Sequence, residues 1–275
     1  MTKSTLESLT LAAMVLVVAV AAWAEEPRQA KLDPQRDLIS LHYDHAPDRD
    51  DGQSAAADRT VLETLFDRQW MKRHAVAVSG AYGRNRKHFR PASDAVMDAA
   101  FDDVGGWIAA HEQWPSAVAK LAERWKATLE AGGDVWVKEG GQSDITADVV
   151  RELREEMPDL ETQRRIHVVQ HSDWNENQTT RTALDYVKAN TDYIRIRDAN
   201  RYLNRKGGDE AFVEAAKAHP RFGPAWRAAL DYYDPKIRLD FSDTGELLHM
   251  LGLGELGIDA FGRRFLSVPS ESGRR

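Results

Sequence analysis

The sequence predicts an α/β fold, a single-domain Rossmann-like open sheet that is mainly parallel and covered by helices on both faces. Three observations carry that prediction. Short apolar runs of strand length alternate with helical stretches through residues 36–275, which is the pattern of βαβ units. The polar clusters stand directly after the strand-like runs, where loops and helix N-termini converge in such a sheet. Without a leader-like start about 250 residues remain, the size of one large domain. Their 42% hydrophobic content and eight tryptophans can fill its core.

The start of the chain sets an expected compartment. Lys3 and a polar stretch precede LTLAAMVLVVAVAAW, an apolar core of signal-peptide length, and Ala22-Trp23-Ala24 places small residues at the two positions a signal peptidase reads. Residues 1–24 are therefore expected to be a cleaved signal peptide and the mature protein periplasmic or secreted, with an uncleaved anchor as the alternative. No other segment is long and apolar enough to span a bilayer, so no membrane association is expected after cleavage. Residues 25–35 are polar and read as a flexible lead-in, leaving 36–275 as the α/β domain.

The elements follow in order. LISLH (38–42) reads as a short buried strand, and QSAAADRTVLETLFDRQW as a helix with Val61, Leu62, Leu65 and Phe66 on one face. HAVAVSGA (74–81) is a second strand. Two helical stretches are expected around 93–110 and 116–131, the latter stopped by Gly132-Gly133. DVWVKEGG (134–141) is strand-like. Ile145, Val149, Leu153 and Met157 then recur every four residues on a helix ended by Pro158. RIHVVQHS (165–172) is a strand, Thr180 to Ala189 a helix, and DYIRIRD (192–198) a strand. The tail beyond Asp209 reads as mostly helical.

Composition narrows the function. The net charge is −7, from 37 basic and 44 acidic residues, and an acidic chain without a basic stripe argues against nucleic acid. There is no cysteine, which excludes thiol catalysis and thiolate metal sites. The segment HYDHAPDRDDGQSAAADR (42–59) crowds aspartates after the first strand, and such carboxylates repel one another unless a cation sits among them. SGAYGRN (79–85), EGGQSD (139–144) and HSDWNENQTT (171–180) follow the next three strands. Each has a bland reading, as helix caps, turn glycines or a satisfied core histidine at His42. Their coincidence at four equivalent strand ends is what points to one site.

Several chemistries are open at this point. Asp48, Asp50 and Gly52 have the wrong spacing for an EF-hand, and the twelfth position from Asp48 is Arg59. His42, Asp44 and His45 suit a two-metal phosphoesterase only in part, because the later histidine-bearing loops are missing or ambiguous. No G-x-S-x-G elbow or P-loop is present. Oxygen-only ligands fit a hard cation, and calcium suits an exported protein.

Taken together, the clusters resemble the calcium-dependent nucleoside hydrolases and their exported nucleoside hydrolase-like relatives. Asp44 followed by Asp50-Asp51 and a helix resembles that family's first motif, and AYGRN its second strand end. EGGQSD is similar to its Gly-Pro-Leu-Thr-Asn loop, and FSDTGELLHMLGLGELG (241–257) to its Asp-Thr segment. The resemblance runs through most of the mature chain and implies a nucleoside hydrolase-like fold. It implies Ca²⁺ held by Asp44, Asp50, Asp51, Asp243 and the Ser143 carbonyl, with Asp48 in reserve because the gap between Asp44 and Asp50-Asp51 is two residues longer than the family norm. It implies Asp44 as the base that takes a proton from a calcium-bound water. Asn85, Asn175, Glu176 and Asn177 would hold sugar hydroxyls, with Trp174 or Tyr82 stacking on the leaving group. The expected partner is a nucleoside or other small sugar substrate, and homo-oligomerisation is left open. The expected activity is hydrolysis of an N-ribosyl or related glycosidic bond, and the alternative is a non-catalytic carbohydrate-binding protein of the same fold. Gly141, Gln142, Asp144 and Ser242 depart from the family pattern, the last where purine-acting members carry histidine.

Overall fold

The computed structural model describes residues 31–268. The expected signal peptide lies outside the described residues, as does the lead-in up to residue 30. The rest of that lead-in is held down. Leu32 is buried, and the Pro34 carbonyl accepts a hydrogen bond from Trp70 Nε1 at 2.6 Å.

The elements are β1 (Leu38–Tyr43), α1 (Asp50–Leu65), α2 (Arg68–His74), β2 (Ala75–Ser79), α3 (Asp94–Phe101), β3 (Trp107–Ala109), α4 (Trp114–Glu130) and β4 (Val135–Gly140). They continue with α5 (Asp144–Glu156), α6 (Thr162–Arg165), β5 (Ile166–Gln170), α7 (Asp173–Gln178), α8 (Arg181–Asn190), β6 (Asp192–Arg195) and α9 (Asn200–Leu203). The last are β7 (Asn204–Lys206), α10 (Glu210–Ala218), α11 (Gly223–Tyr232), β8 (Arg238–Asp240), α12 (Thr244–Met250) and α13 (Ile258–Phe265). The first six strands form one parallel sheet in the order β3-β2-β1-β4-β5-β6, and β7 and β8 form a separate antiparallel pair. The α/β, Rossmann-like open sheet is thus the observed fold.

Its layers follow from strand alternation, since successive side chains point to opposite faces. On β4, Val135 and Val137 join the core formed with Trp125, Val149, Val150 and Leu153 of α4 and α5. The intervening Trp136 and Lys138 point to the opposite face, where α1 lies. On β1 the same rule sends Ser40 and His42 toward Trp125, which Ser40 meets at 3.2 Å, and sends Tyr43 toward Asp58 of α1 at 2.6 Å. α1 approaches closely because Ala55, Ala56 and Ala57 are all fully buried there. α3, α11 and α12 pack around it.

Two expectations need correction. Residues 93–110 are not one helix: after α3 the chain turns through Gly105 and Gly106, whose positive φ angles end helical geometry, and Trp107–Ala109 adds an edge strand beside β2. The helix through Trp70 is two helices, because the Asp67 side chain caps α2 by accepting from the Trp70 amide at 2.6 Å. The tail beyond Asp209 is mostly helical, as expected, and its short strand β8 pairs with β7.

A cavity of buried carboxylates at the strand ends

The carboxyl ends of β1, β4 and β5 open into a cavity of about 210 Å³. Asp44, Asp48, Asp50 and Asp51 line it from the β1 side, Gly140 from β4, and His171, Ser172, Trp174 and Asn175 from β5. Asn200, Arg238, Asp240, Ser242 and Asp243 close it.

Two glycines let these parts meet. A Cβ on Gly140 would lie 2.4 Å from Lys138 Nζ and 2.7 Å from the His42 carbonyl oxygen. On Gly141 it would lie 2.4 Å from the Ala81 carbonyl oxygen and 2.8 Å from Asp44 Cβ. Real Cβ atoms do not approach backbone that closely, so the pair is needed for close packing of the three strand ends.

Asp44 leaves β1 with 3% of its surface exposed. Its Oδ1 accepts the Ala46 amide at 2.8 Å and its Oδ2 accepts the Gln142 side-chain amide. Asp51, in the first turn of α1, accepts the His45 amide on Oδ2 at 2.6 Å, while its buried Oδ1 has no partner. Asp44 and Asp51 are close enough for their charges to act on each other, and so are Asp51 and Asp243. Asp243, at the N-cap of α12, also receives the Ser54 hydroxyl at 3.4 Å.

Electrostatics express this crowding. Burial raises Asp44 from 3.8 to about 7. Burial pushes Asp51 and Asp243 well above the carboxylate range, and the charges of Asp44 on Asp51 and of Asp51 on Asp243 push them further. Asp50 is raised by burial and then by the charges of Asp48 and Asp240. Behind the cavity lies Lys138, fully buried, 3.5 Å from Asp58 and with its ammonium 4.0 Å from the Tyr43 ring centroid. Burial works against its charge, yet Asp58, Asp243, Glu246 and Asp51 together raise its pKa. One ammonium sits under many carboxylates.

The structure sorts the residues singled out in the sequence. Asp44, Asp50, Asp51 and Asp243 line one cavity, with Asp48, Trp174 and Asn175. Glu176 and Asn177 do not, because 173–178 is helix α7, in which successive side chains fan out by about 100°. Glu176 turns away to Tyr193 and Lys188, each at 2.9 Å, and Asn177 is exposed. Ser143 does not line the cavity either: its carbonyl accepts the Ala147 amide at 2.9 Å as α5 begins, and its amide donates to Thr179. Gly140 stands at the cavity wall instead. Asn85 is buried outside the lining, and Tyr82 packs between Phe89 and Trp114.

Four polar residues were not singled out as site residues: Lys138, His171, Asp240 and Glu246. His171 and Glu246 had a legible signal, since His171 follows the β5 run and Glu246 stands three residues after Asp243. Asp240 depended on the unrecognised β8. His171, Asp243 and Glu246 form a buried group of metal-ligand type, with one ligand atom from each within 4.8 Å of the others. Asp44, Asp51 and Asp243 do not meet so closely as a trio.

Comparison of the chain with protein-family models, curated proteins and solved structures finds no match.

Proposed function

We propose that this chain is an exported, metal-dependent hydrolase of N-ribosyl or related glycosidic bonds, of the nucleoside hydrolase type that its motifs resemble. The observation that supports this reading most is that Asp44, Asp51 and Asp243 line one cavity at the strand ends. These are hard oxygen donors, Asp51 carries an orphaned buried oxygen, and Lys138 alone does not balance them. The donor set fits Ca²⁺, with Asp44, Asp51 and Asp243 as ligands and Asp50 beside them. When bound, the cation supplies polarised water and a seat for vicinal sugar hydroxyls.

The chain's own groups would do the rest. Asp44, held in orientation by the Ala46 amide and Gln142, takes the proton of the attacking water. The surrounding carboxylates favour positive charge developing on the sugar in an oxocarbenium-like transition state. Asn175, 5% exposed, offers its amide to a sugar hydroxyl, and Trp174, 42% exposed at the rim, offers a ring face to the leaving group. Burial of the cavity walls strengthens each of these interactions.

One observation favours the second reading, a carbohydrate-binding protein. Both oxygens of Asp44 already accept hydrogen bonds, which steadies the anion and weakens it as a base. Incubation with calcium and a panel of pyrimidine and purine nucleosides, simple ribosides and oligosaccharides, followed by measurement of released sugar, separates the two. Release of free sugar that stops on chelation supports the hydrolase. Calcium-dependent binding without release from any of them replaces it with the binder.

A further inference from the structure

Beside the proposed calcium position, a second group of potential ligands has a different chemistry. His171 directly follows β5, Asp243 occupies the N-cap position of α12, and Glu246 lies in the first turn of α12. Ligand atoms from the three lie within 4.8 Å of one another. His171 is 1% exposed and Glu246 is fully buried.

Their own hydrogen bonds do not account for them. Glu246 Oε1 accepts the His171 amide at 3.2 Å, but its Oε2 has no partner, and neither has His171 Nδ1. His171 Nε2 stands 3.5 Å from Asp243 Oδ1, at the outer limit of a hydrogen bond. Buried polar atoms are rarely left in this state. Two unpartnered atoms on neighbouring, fully enclosed side chains indicate a missing bonding partner.

Charge points the same way. Asp44, Asp51, Asp58, Asp243 and Glu246 are five nearly inaccessible carboxylates around one lysine, Lys138. One divalent cation on the Asp44–Asp51–Asp243 side leaves two negative charges uncompensated. A second cation on the Glu246 side reduces that excess further.

We propose that His171, Asp243 and Glu246 hold a second cation, a first-row divalent metal of the Zn²⁺ class, with Asp243 shared between it and the calcium position. An imidazole nitrogen with two carboxylates is a donor set for zinc and its neighbours and not for calcium, which takes oxygen. Three protein ligands leave an open coordination position. His171 lines the cavity, so that open position is placed to meet a ligand from the cavity side. The proposal shares Asp243 with the calcium reading but stands on two residues that reading does not use.

Titration of the calcium-saturated full chain with Co²⁺, followed by visible absorption, tests it. The expected result is a saturable band reaching one Co²⁺ per chain, lost in His171→Asn and Glu246→Gln, while both variants keep the calcium-induced rise in melting temperature. Asp44→Asn should need more calcium for that rise and keep the Co²⁺ band unchanged, so failure of the calcium reading is told apart from failure of this one. A wild-type protein that shows no saturable band overturns the second site whether or not the variants fold. Competitive displacement of Co²⁺ by calcium overturns it too, because one shared position then explains both.

Discussion

Helix α1 carries a buried ionic cluster at each end, and the two are built on opposite plans. Toward its C-terminus, Arg59 and Glu63 are each 4% exposed, and they pair with Asp103 and Arg68. Arg59 Nε meets Glu63 at 2.7 Å and Arg59 Nη1 meets Asp103 at 2.7 Å, while the Ala100 carbonyl takes another of its protons. Charges balance, and the donors of the guanidinium find acceptors. At the N-terminus, Asp50 and Asp51 face Asp44 and Asp243 with an orphaned oxygen and strongly raised pKa values. The helix dipole favours carboxylates there by only about 0.3–1 kcal/mol. That is small against the several kcal/mol per ion that burial costs. The closed cluster explains itself as structure; the open one is explained by something that binds.

The comparison can be broken at either end. The largest expected effect is on turnover: Asp44→Asn keeps the size of the side chain but removes the proton acceptor and one of the two oxygens that accept hydrogen bonds. The rate of sugar release with calcium saturating should therefore fall by about 10²–10⁴-fold. A variant that keeps wild-type turnover would remove Asp44 from the chemistry. At the other end, Arg59→Ala should cost up to about 3 kcal/mol of stability, because Glu63 loses its buried partner and keeps the half-exposed Arg68. Chemical denaturation reads that loss, and the response to calcium should be unchanged. If Arg59→Ala instead abolished the calcium response, the two ends would not be independent.

Acidity sharpens the contrast. With Asp44 raised from 3.8 to about 7 by burial, the folded chain holds a proton there that the unfolded chain has released. The stability this provides is complete below 3.8 and is lost as pH rises through about 7. Calcium replaces that proton, so its effect on the melting temperature should be larger at about pH 8 than at about pH 5. An equal effect at both would mean that calcium does not bind at Asp44. The smallest effect belongs to Asn175→Ala, which removes an uncharged hydroxyl contact worth about 0.5–1.5 kcal/mol. It should weaken sugar binding without altering the calcium response, as a binding titration with and without the side chain would show.

How much of this was legible in the sequence follows the same division. The parallel sheet was legible because β1, β2, β4, β5 and β6 are bounded runs with polar residues at their ends. β3 was not, since three residues after a glycine pair carry too little periodicity to distinguish an edge strand from a helix. Asp44, Asp50, Asp51 and Asp243 stood out because they are carboxylates crowded at strand ends and helix starts, where like charges repel. Glu176 and Asn177 pointed elsewhere because α7 rotates neighbours onto different faces, which a polar run does not reveal. Lys138 was hidden by alternation: in VWVKEG nothing local tells which face meets the acidic helix.

The central claim is that the open cluster is a cation site, and the melting temperature in calcium against chelator tests it most directly. The account predicts that calcium stabilises the folded chain, by about 2.7 kcal/mol at a free concentration of a hundred times Kd. Magnesium should do less, because it demands tighter octahedral geometry, and Asp243→Asn should lose most of the gain. Melting curves that coincide in calcium and in chelator would contradict it.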